Sequence, residues 1–340
     1  MPRPVLMRCG SSIPTLSEPD LSALSRSSAM PEPAPRGKTP AEHWPVVLET
    51  RGWEDYALID MGHGRKMERY GPVTVVRPEP QAMGIPRLKE AAWEGADAVF
   101  TGDVDEEGPG RWRFNRDLPE TWEMAFGPAR FHGRFMSFRH VGVFPEQAAH
   151  WEWIVDQVKA AKRPLKVLNL FGYTGLASLL PAAAGAEVTH IDASKKAIGW
   201  ARENQALSGL DNLPIRWICE DASKFVSREI RRGNTYDGII LDPPKYGRGP
   251  KGEVWDLFTS LPGMLYDLEK LLSPEARFMI LTAYAIRSSF VAIHELMNEA
   301  LHRRGGLIES GELVIREERG REGKPARALS TSLFSRWSAP

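Results

Sequence analysis

The stretch KVLNLFGYTGLASL, residues 166–179, decides the fold. An apolar run leads into Phe171-Gly172-Tyr173-Thr174-Gly175, and a helix-like apolar pattern follows. Glycine at 172 and 175 lets the backbone approach a ligand closely, and a helix beginning there offers free N–H groups. A plain strand-to-helix turn would read the same way. A dinucleotide site calls for G-x-G-x-x-G. The turn here has only G-Y-T-G, which argues against a pyrophosphate cradle and against a nicotinamide-dependent oxidoreductase. An uncharged nucleoside needs no such cradle.

Working outward, the same strand-then-helix pattern recurs. Strands are expected at EVTHID, IRWICED, YDGIILD and ARFMILTAY, with helices at SKKAIGWARENQALSG, SKFVSREIRRG and SSFVAIHELMNEALHRRG. This alternation predicts a doubly wound α/β domain with a mostly parallel sheet. Two final strands, LIESGELVI and LSTSLFSRWS, would close the sheet, the last one antiparallel. The domain is placed at 141–340 and opens on the helical segment EQAAHWEWIVDQVKAAK. Upstream, YALIDMG, VTVVRP, DAVFTGD, RWRFN, WEMAFG and ARFHGRFMSF are separated by Gly, Pro and Asp, so 44–140 reads as a smaller β-rich domain. Residues 1–43, rich in Ser and Pro, read as a disordered tail. Arg3, Arg8 and Arg26 would also suit a transit peptide, against which Glu18 and Asp20 stand, and Met30 offers an alternative start.

Composition narrows the classes. A chain of 340 residues with 42% hydrophobic and 26% charged residues is ordinary for a globular protein. It has no run of about 18 apolar residues, so no membrane span is expected. The formal net charge of zero gives no bulk argument for nucleic acid, although local patches matter more than totals. Two cysteines, Cys9 and Cys219, cannot build a disulfide framework, and a cytoplasmic setting fits. The histidines show no metal-ligand spacing, so no metal is expected.

In a parallel sheet, ligands bind at the carboxyl ends of the strands. The second expected strand ends in Asp192, which could take both ribose hydroxyls or cap the helix that follows. The third ends in Glu220-Asp221-Ala222, where Asp221 could hold an adenine amine or cap the next helix. The fourth ends in Asp242-Pro243-Pro244-Lys245-Tyr246. Two prolines stiffen that edge, and an acid with a ring beside it suits a flat, hydrogen-bonding substrate.

Together NLFGYTG, IDAS, EDA and DPPKY resemble the motifs of class I S-adenosylmethionine-dependent methyltransferases. More narrowly, the chain is similar to the bacterial 23S ribosomal RNA large-subunit methyltransferases of the cytosine-C5 and guanine-N7 types. HVGVFPEQAAHWEWI resembles the segment that precedes their catalytic domain. The resemblance covers roughly residues 135 to 340 and implies a Rossmann-like fold and S-adenosylmethionine as cofactor. It also implies roles for individual residues. Phe171, Gly172, Tyr173, Thr174 and Gly175 would wrap the methionine part. Asp192 would bind the ribose with Ala193 packed on the adenine, and Asp221 and Ala222 would read the adenine edge. Phe144 and Gln147 would cover the pocket. Asp242, Pro243, Pro244 and Tyr246 would face the acceptor base.

One departure matters. Cytosine-C5 enzymes need a thiolate, which in the resembling family follows the fifth strand. Here that place reads LTAYAIRSSF, without cysteine, and Cys219 is expected to be a half-buried structural thiol. Methyl transfer to a nitrogen needs no covalent step, so a base nitrogen in RNA, ribosomal RNA foremost, is the expected acceptor. A small molecule or a protein side chain is the alternative, and a non-catalytic RNA-binding protein of this fold is a third reading. Two basic loops, one with Lys245, Arg248 and Lys251 and one with Arg316, Arg319, Arg321, Lys324 and Arg327, would form a phosphate-binding rim or remain solvated loops. Glu317, Glu318 and Glu322 offset part of the second loop's charge.

Overall fold

The computed structural model describes residues 30–102, 110–136, 139–284, 286, 288–321 and 323–340. The expected tail therefore falls largely outside the described residues, as do Cys9 and Glu322.

The chain starts with strand β1 (Ala41–Thr50). Next come β2 (Tyr56–Gly62), β3 (Arg65–Tyr70), β4 (Val73–Pro78), the short helix α1 (Glu90–Glu94), β5 (Ala98–Gly102) and β6 (Gly110–Phe114). A hairpin of β7 (Thr121–Phe126) and β8 (Ala129–Arg134) follows. A 3-10 turn at Pro145–Gln147 runs into α2 (Ala148–Ala160). The alternating part comprises β9 (Lys166–Leu170), α3 (Leu176–Ala183), β10 (Glu187–Asp192), α4 (Lys195–Leu207), β11 (Ile215–Cys219), α5 (Ala222–Arg232) and β12 (Gly238–Leu241). A small hairpin, β13 (Tyr246–Arg248) and β14 (Val254–Asp256), precedes α6 (Leu257–Leu271), β15 (Phe278–Tyr284), α7 (Phe290–Ala300), β16 (Leu307–Arg316) and β17 (Ala328–Ser338).

Eight strands form the large sheet in the order β1-β16-β17-β15-β12-β9-β10-β11. The pairs β10/β11, β10/β9, β12/β9 and β12/β15 are parallel, while β17 runs antiparallel to both β15 and β16. The fold is the mostly parallel Rossmann-like sheet expected, with its last strand antiparallel. Central strands covered on both faces read as continuous apolar runs. Thus Gly238–Leu241 is buried throughout, and in β9 only the first residue, Lys166, reaches solvent. The order reverses between β9 and β12, which makes their carboxyl ends the switch point where open α/β sheets bind ligands.

Local chemistry starts and stops the helices. Ser194 caps α4 by accepting from the N–H of Ala197 at 3.2 Å. Asp221 caps α5 through the N–H of Lys224 at 3.0 Å, and Gly233 closes that helix with φ 68°.

The N-terminal part departs from the sequence reading at one strand. β1 was not expected as a strand: its residues fall partly in the expected tail, 1–43, and partly in the expected β-rich domain from 44. It instead forms the edge of the large sheet, parallel to β16 from Ala41↔Leu307 to Thr50↔Ile315. Of the remaining strands, β7 and β8 pair with each other, and β2-β3-β4-β5-β6 make a five-stranded sheet. The latter shares a hydrophobic core with the large sheet: Tyr56, Leu58 and Tyr70 cluster with Val143, Trp151, Leu176 and Ile315. A polar seam runs beside that core. Arg327 Nε donates to Glu317 at 2.9 Å and its Nη2 to Asp60 at 2.7 Å. Asp60, 1% exposed, also accepts from the N–H of Leu88 at 2.7 Å and from Trp93 Nε1 at 3.1 Å.

Candidate active site

The turn after β9 carries backbone strain. Phe171 (φ 58°) and Tyr173 (φ 49°) adopt left-handed conformations that side chains rarely take, beside Gly175 at φ 90°. Such residues persist only when their surroundings hold them. Here the N–H of Gly172 donates to Ile191 O at 3.0 Å and that of Tyr173 to Asp192 Oδ2 at 2.9 Å. Thr174 Oγ1 donates to Gly142 O at 2.8 Å, and Asn204 Nδ2 donates to Thr174 O at 2.9 Å. The Phe171 ring packs on Trp255 with centroids 4.9 Å apart. Gly172 is required by space, since a Cβ there would lie 2.3 Å from His190 Cε1 and 2.9 Å from Asn169 Nδ2.

Asp192 is half-buried at the end of β10 and is not the cap of α4, which is Ser194. Its Oδ2 takes the N–H of Tyr173 and its Oδ1 takes that of Ser194 at 2.8 Å. Burial pushes its carboxyl up, and the two backbone donors pull it back. Each oxygen keeps a lone pair for a second donor, which suits a vicinal diol. Ala193 is half-buried beside it, and Ala222 is buried behind Asp221. Asp221 does cap α5, so the plainer of its two expected roles is the one visible.

A cleft opens between the turn, the 3-10 turn before α2, and the end of β12. Phe144, Gln147, Phe171, Gly172, Tyr173, Thr174 and Asp242 all line it. Gln147 Nε2 donates to Asp242 Oδ2 at 2.9 Å, and Gln147 Oε1 accepts from Thr282 Oγ1 at 3.4 Å. Burial, helped by the nearby Glu146 carboxylate, pushes Asp242 up to about 7, and the Gln147 hydrogen bond pulls the other way. Pro243 is buried and Pro244 exposed, with Pro244 O accepting from Trp255 Nε1 at 2.8 Å. Tyr246 lies apart from this cleft: it is 50% exposed on the β13–β14 hairpin.

Sequence reasoning missed several neighbours. Glu146 is 3% exposed beside Gln147, and burial raises its carboxyl. Asn169, the one polar side chain buried in β9, donates to Ser178 Oγ at 2.9 Å. His150 lines the cleft with neither ring nitrogen hydrogen-bonded, and burial lowers it to about 3. Tyr284 stands at the end of β15, in the stretch read only for a thiol. Cys219 is exposed rather than half-buried, because β11 is the outer strand of the sheet and its end is uncovered. No group of three His, Cys, Asp or Glu side chains that could hold a metal occurs among the described residues. No helix among them is long and apolar enough to cross a membrane.

The family model for S-adenosylmethionine-dependent methyltransferases matches residues 89–302. The chain belongs to that family. The crystal structure of an S-adenosylmethionine-dependent methyltransferase from Agrobacterium tumefaciens is 60% identical, with a TM-score of 0.84 over 90% of this chain and 98% of that one. A methyltransferase structure from Streptococcus mutans, 13% identical over 84% of this chain and 75% of that one with a TM-score of 0.61, shares the fold. Among curated relatives, a ribosomal RNA large subunit methyltransferase K/L from Shewanella frigidimarina is 33% identical over 44% of this chain. One of the same name from Pseudoalteromonas atlantica is 30% identical over 63% of it. The matches span only 21% and 32% of those two relatives.

The residues of this candidate site suit such a cofactor. The strained turn brings backbone close to the cleft, Asp192 keeps diol-accepting lone pairs, and the cleft walls are mostly apolar or neutral. S-adenosylmethionine supplies, when bound, a methyl group on a sulfonium centre.

Proposed function

We propose that this methyltransferase modifies a nitrogen atom of a base in RNA, ribosomal RNA foremost. In this reading Phe171 to Gly175 surround the amino-acid end of the cofactor, with Phe144 and Gln147 covering it. Asp192 takes the ribose, Ala193 packs on the adenine, and Asp221 with Ala222 meets the adenine edge. Asp242 is the acceptor's partner. A carboxyl near 7, held by Gln147, accepts a hydrogen bond from an amine or ring N–H and can take the proton released when the nitrogen gains a methyl group. Aligning the nitrogen lone pair with the methyl group then does most of the catalytic work. Cys219, the one described cysteine, lies at the end of β11 and not among the residues of the cleft that Asp242 lines, so among the described residues no thiol stands there for the covalent route to cytosine C5.

The observation that favours a polynucleotide is the β13–β14 hairpin. Lys245, Arg248 and Lys251 lie on it, exposed and without carboxylate partners among the described residues, immediately after Asp242-Pro-Pro. Of its two acids, Glu253 is already paired with Lys224, and Asp256 caps α6 by accepting from the N–H of Thr259. Tyr246, Arg248 and Val254 share one exposed face, set by the register Tyr246↔Asp256 and Arg248↔Val254. The second basic loop is spent differently. Arg316 pairs with Glu49 of β1 at 2.5 Å, within the large sheet, while Arg327 pairs with Glu317 and Asp60 and Arg321 donates to Ile59 O at 3.4 Å, so those two arginines dock the loop on β2 of the N-terminal sheet.

The test is transfer of labelled methyl groups to unmodified ribosomal RNA, with digestion and mass spectrometry of the nucleosides. An N-methylated base formed by the wild type and lost in Asp242→Asn supports the reading. Labelling of a protein or small-molecule fraction instead would transfer the assignment to that acceptor.

A further inference from the structure

Phe144 stands between two aromatic neighbourhoods. On one side its ring meets Tyr173 of the cofactor turn, with centroids 5.7 Å apart. On the other it meets His140 at 4.8 Å and Tyr284 at 5.4 Å, at interplanar angles of 47° and 68°. His140 and Tyr284 are themselves 6.0 Å apart at 72°. These three half-buried rings make a corner, not a stack.

Strand register places that corner over the acid. Leu241 pairs with Leu281, so β15 runs on past the end of β12 while the chain after Leu241 turns into Asp242-Pro243-Pro244. Thr282 and Tyr284 share one face of β15. Thr282 reaches the same Gln147 that holds Asp242. Tyr284 is thus one step further out on the face that meets Asp242's partner. Its ring is held in place from behind: Arg139 Nη2 donates to its hydroxyl at 2.7 Å, and Arg139 Nη1 donates to Pro78 O at 2.7 Å, on β4 of the N-terminal sheet.

We propose that Tyr284, with His140 and Phe144, forms a stacking wall that receives a flat, uncharged heteroaromatic base and presents its edge to Asp242. Tyr284 is then a specificity-determining residue, lying where the sequence lacks the thiol of the cytosine-C5 enzymes. This rests on the RNA-base reading above and refines it.

The chemistry of the corner selects against a cation. Aromatic corners can also hold ammonium groups through their π faces. Here, however, Arg77, Arg139 and Lys66 outweigh Glu68, which pairs with two of them, so the field at the His140 ring is net positive. The same three charges, after burial, hold His140 near 3, so it is a neutral imidazole. Burial holds the Tyr284 hydroxyl near 12, so it is a neutral phenol. Neutral, half-buried rings suit base stacking, which alanine substitution elsewhere values at about 1–3 kcal/mol per base.

The experiment uses the full chain saturated with S-adenosylhomocysteine and titrated with 2-aminopurine riboside, whose fluorescence is quenched on stacking. Wild type and Tyr284→Phe should quench it with similar affinity. Tyr284→Leu should weaken binding at least tenfold while S-adenosylhomocysteine affinity, measured by calorimetry, stays within about twofold. Should Tyr284→Leu also lose S-adenosylhomocysteine, His140→Leu decides by the same readout. Unchanged quenching in a leucine variant that still binds S-adenosylhomocysteine overturns the proposal. So does displacement of the riboside by a lysine amide at lower concentration than by adenosine. In the transfer assay the wall predicts a raised KM for RNA in Tyr284→Leu with the cofactor KM unchanged. Quenching as expected with no methylation of any RNA would sink the RNA reading and leave the wall standing. RNA methylated by Tyr284→Leu with wild-type KM would sink the wall alone.

Discussion

Gln147 donates its side-chain amide to Asp242 Oδ2 at 2.9 Å, so the acid at the end of β12 is held by the segment that precedes β9. That contact favours the carboxylate, while burial and Glu146 favour the acid, and the balance lies at about 7. If the carboxylate is the form that receives the acceptor's hydrogen bond, kcat should fall as pH drops below about 7, by roughly tenfold per unit. Gln147→Leu removes the one contact that favours the charged form, so the limb should move to higher pH. Asp242→Asn should lower kcat by about 10²–10⁴ without weakening cofactor binding. The stability sign is opposite to that of a salt-bridged acid. With the folded value raised above 3.8, the folded chain binds this proton more tightly than the unfolded one. The group's stabilising effect is therefore present at low pH and lost as pH rises through about 7. Asp242→Asn should melt higher than wild type at pH 8. A pH–rate profile and melting curves at pH 6 and 8 check both claims, and a flat profile between pH 6 and 8 removes Asp242 from the proton's path.

Asp192 joins two neighbouring strand ends, because its oxygens take the N–H groups of Tyr173 and Ser194. Asp192→Ala removes the anchor of the strained Tyr173 as well as the acceptor for a diol. Hydrogen bonds to charged groups are each worth about 1.5–3 kcal/mol, so S-adenosylhomocysteine affinity should fall by about 10- to 100-fold or more. Calorimetry on wild type, Asp192→Ala and Asp192→Asn measures it. An alanine variant that binds as tightly as wild type would remove Asp192 from the cofactor site.

At Gly172 the added methyl of Gly172→Ala would meet buried groups, His190 Cε1 and Asn169 Nδ2, both closer than a real Cβ contact allows. Overpacking of this kind costs about 1–3 kcal/mol. A lowered melting temperature together with weakened S-adenosylhomocysteine binding is expected. Gly185→Ala offers a contrast, since a Cβ there meets nothing within 4 Å although its φ of 108° is also strained. It should lower the melting temperature and spare the cofactor.

The seam between the sheets depends on Arg327. Removing it in Arg327→Leu leaves Glu317 (3% exposed) and Asp60 (1% exposed) buried without their main cation. Breaking a buried pair from one side costs about 3–5 kcal/mol. Early cleavage in limited proteolysis near β2, at a temperature where wild type resists, is the expected signature. A variant as resistant as wild type would assign the cohesion of the sheets to their shared apolar core.

How much of this was legible beforehand follows from where each signal is local. The turn at 171–175 and the acids at 192, 221 and 242 were readable because glycine spacing and strand-end position are sequence-local properties. β3 was not: four of the six residues in RKMERY are charged, yet Lys66 and Glu68 are buried. Lys66 pairs with Glu79 at 3.0 Å, and Glu68 accepts from Arg77 Nε at 2.8 Å, so solvent-like chemistry is satisfied inside the protein. β1 was missed because its partner, β16, lies 266 positions away for a pair such as His43 and Glu309, and no periodicity reports such a distance. Glu146 and Tyr284 gave no signal of their own. Their significance comes from Gln147 and Thr282, which tie them to Asp242 only once the strands are in register. The exposure of Cys219 likewise depends on β11 being outermost, which strand order decides and local sequence does not.

The basic hairpin gives a prediction that separates RNA from smaller acceptors. Lys245, Arg248 and Lys251 are exposed and free of carboxylate partners among the described residues, so their charge is available to phosphates. Each phosphate contact contributes about 0.7–0.9 to the slope of log affinity against log salt concentration. Replacing all three by alanine should therefore flatten the salt dependence of ribosomal RNA binding by about 2–3 and raise the RNA KM. The effect on S-adenosylhomocysteine should be nil, because none of the three lines the cleft. Replacing Arg319, 71% exposed on the opposing loop, should change the slope by no more than about 1. Filter binding from low to high salt measures each slope. An unchanged slope in the triple variant would mean that the hairpin does not carry the RNA backbone, and a slope near zero in the wild type would mean that the acceptor is not a polyanion at all.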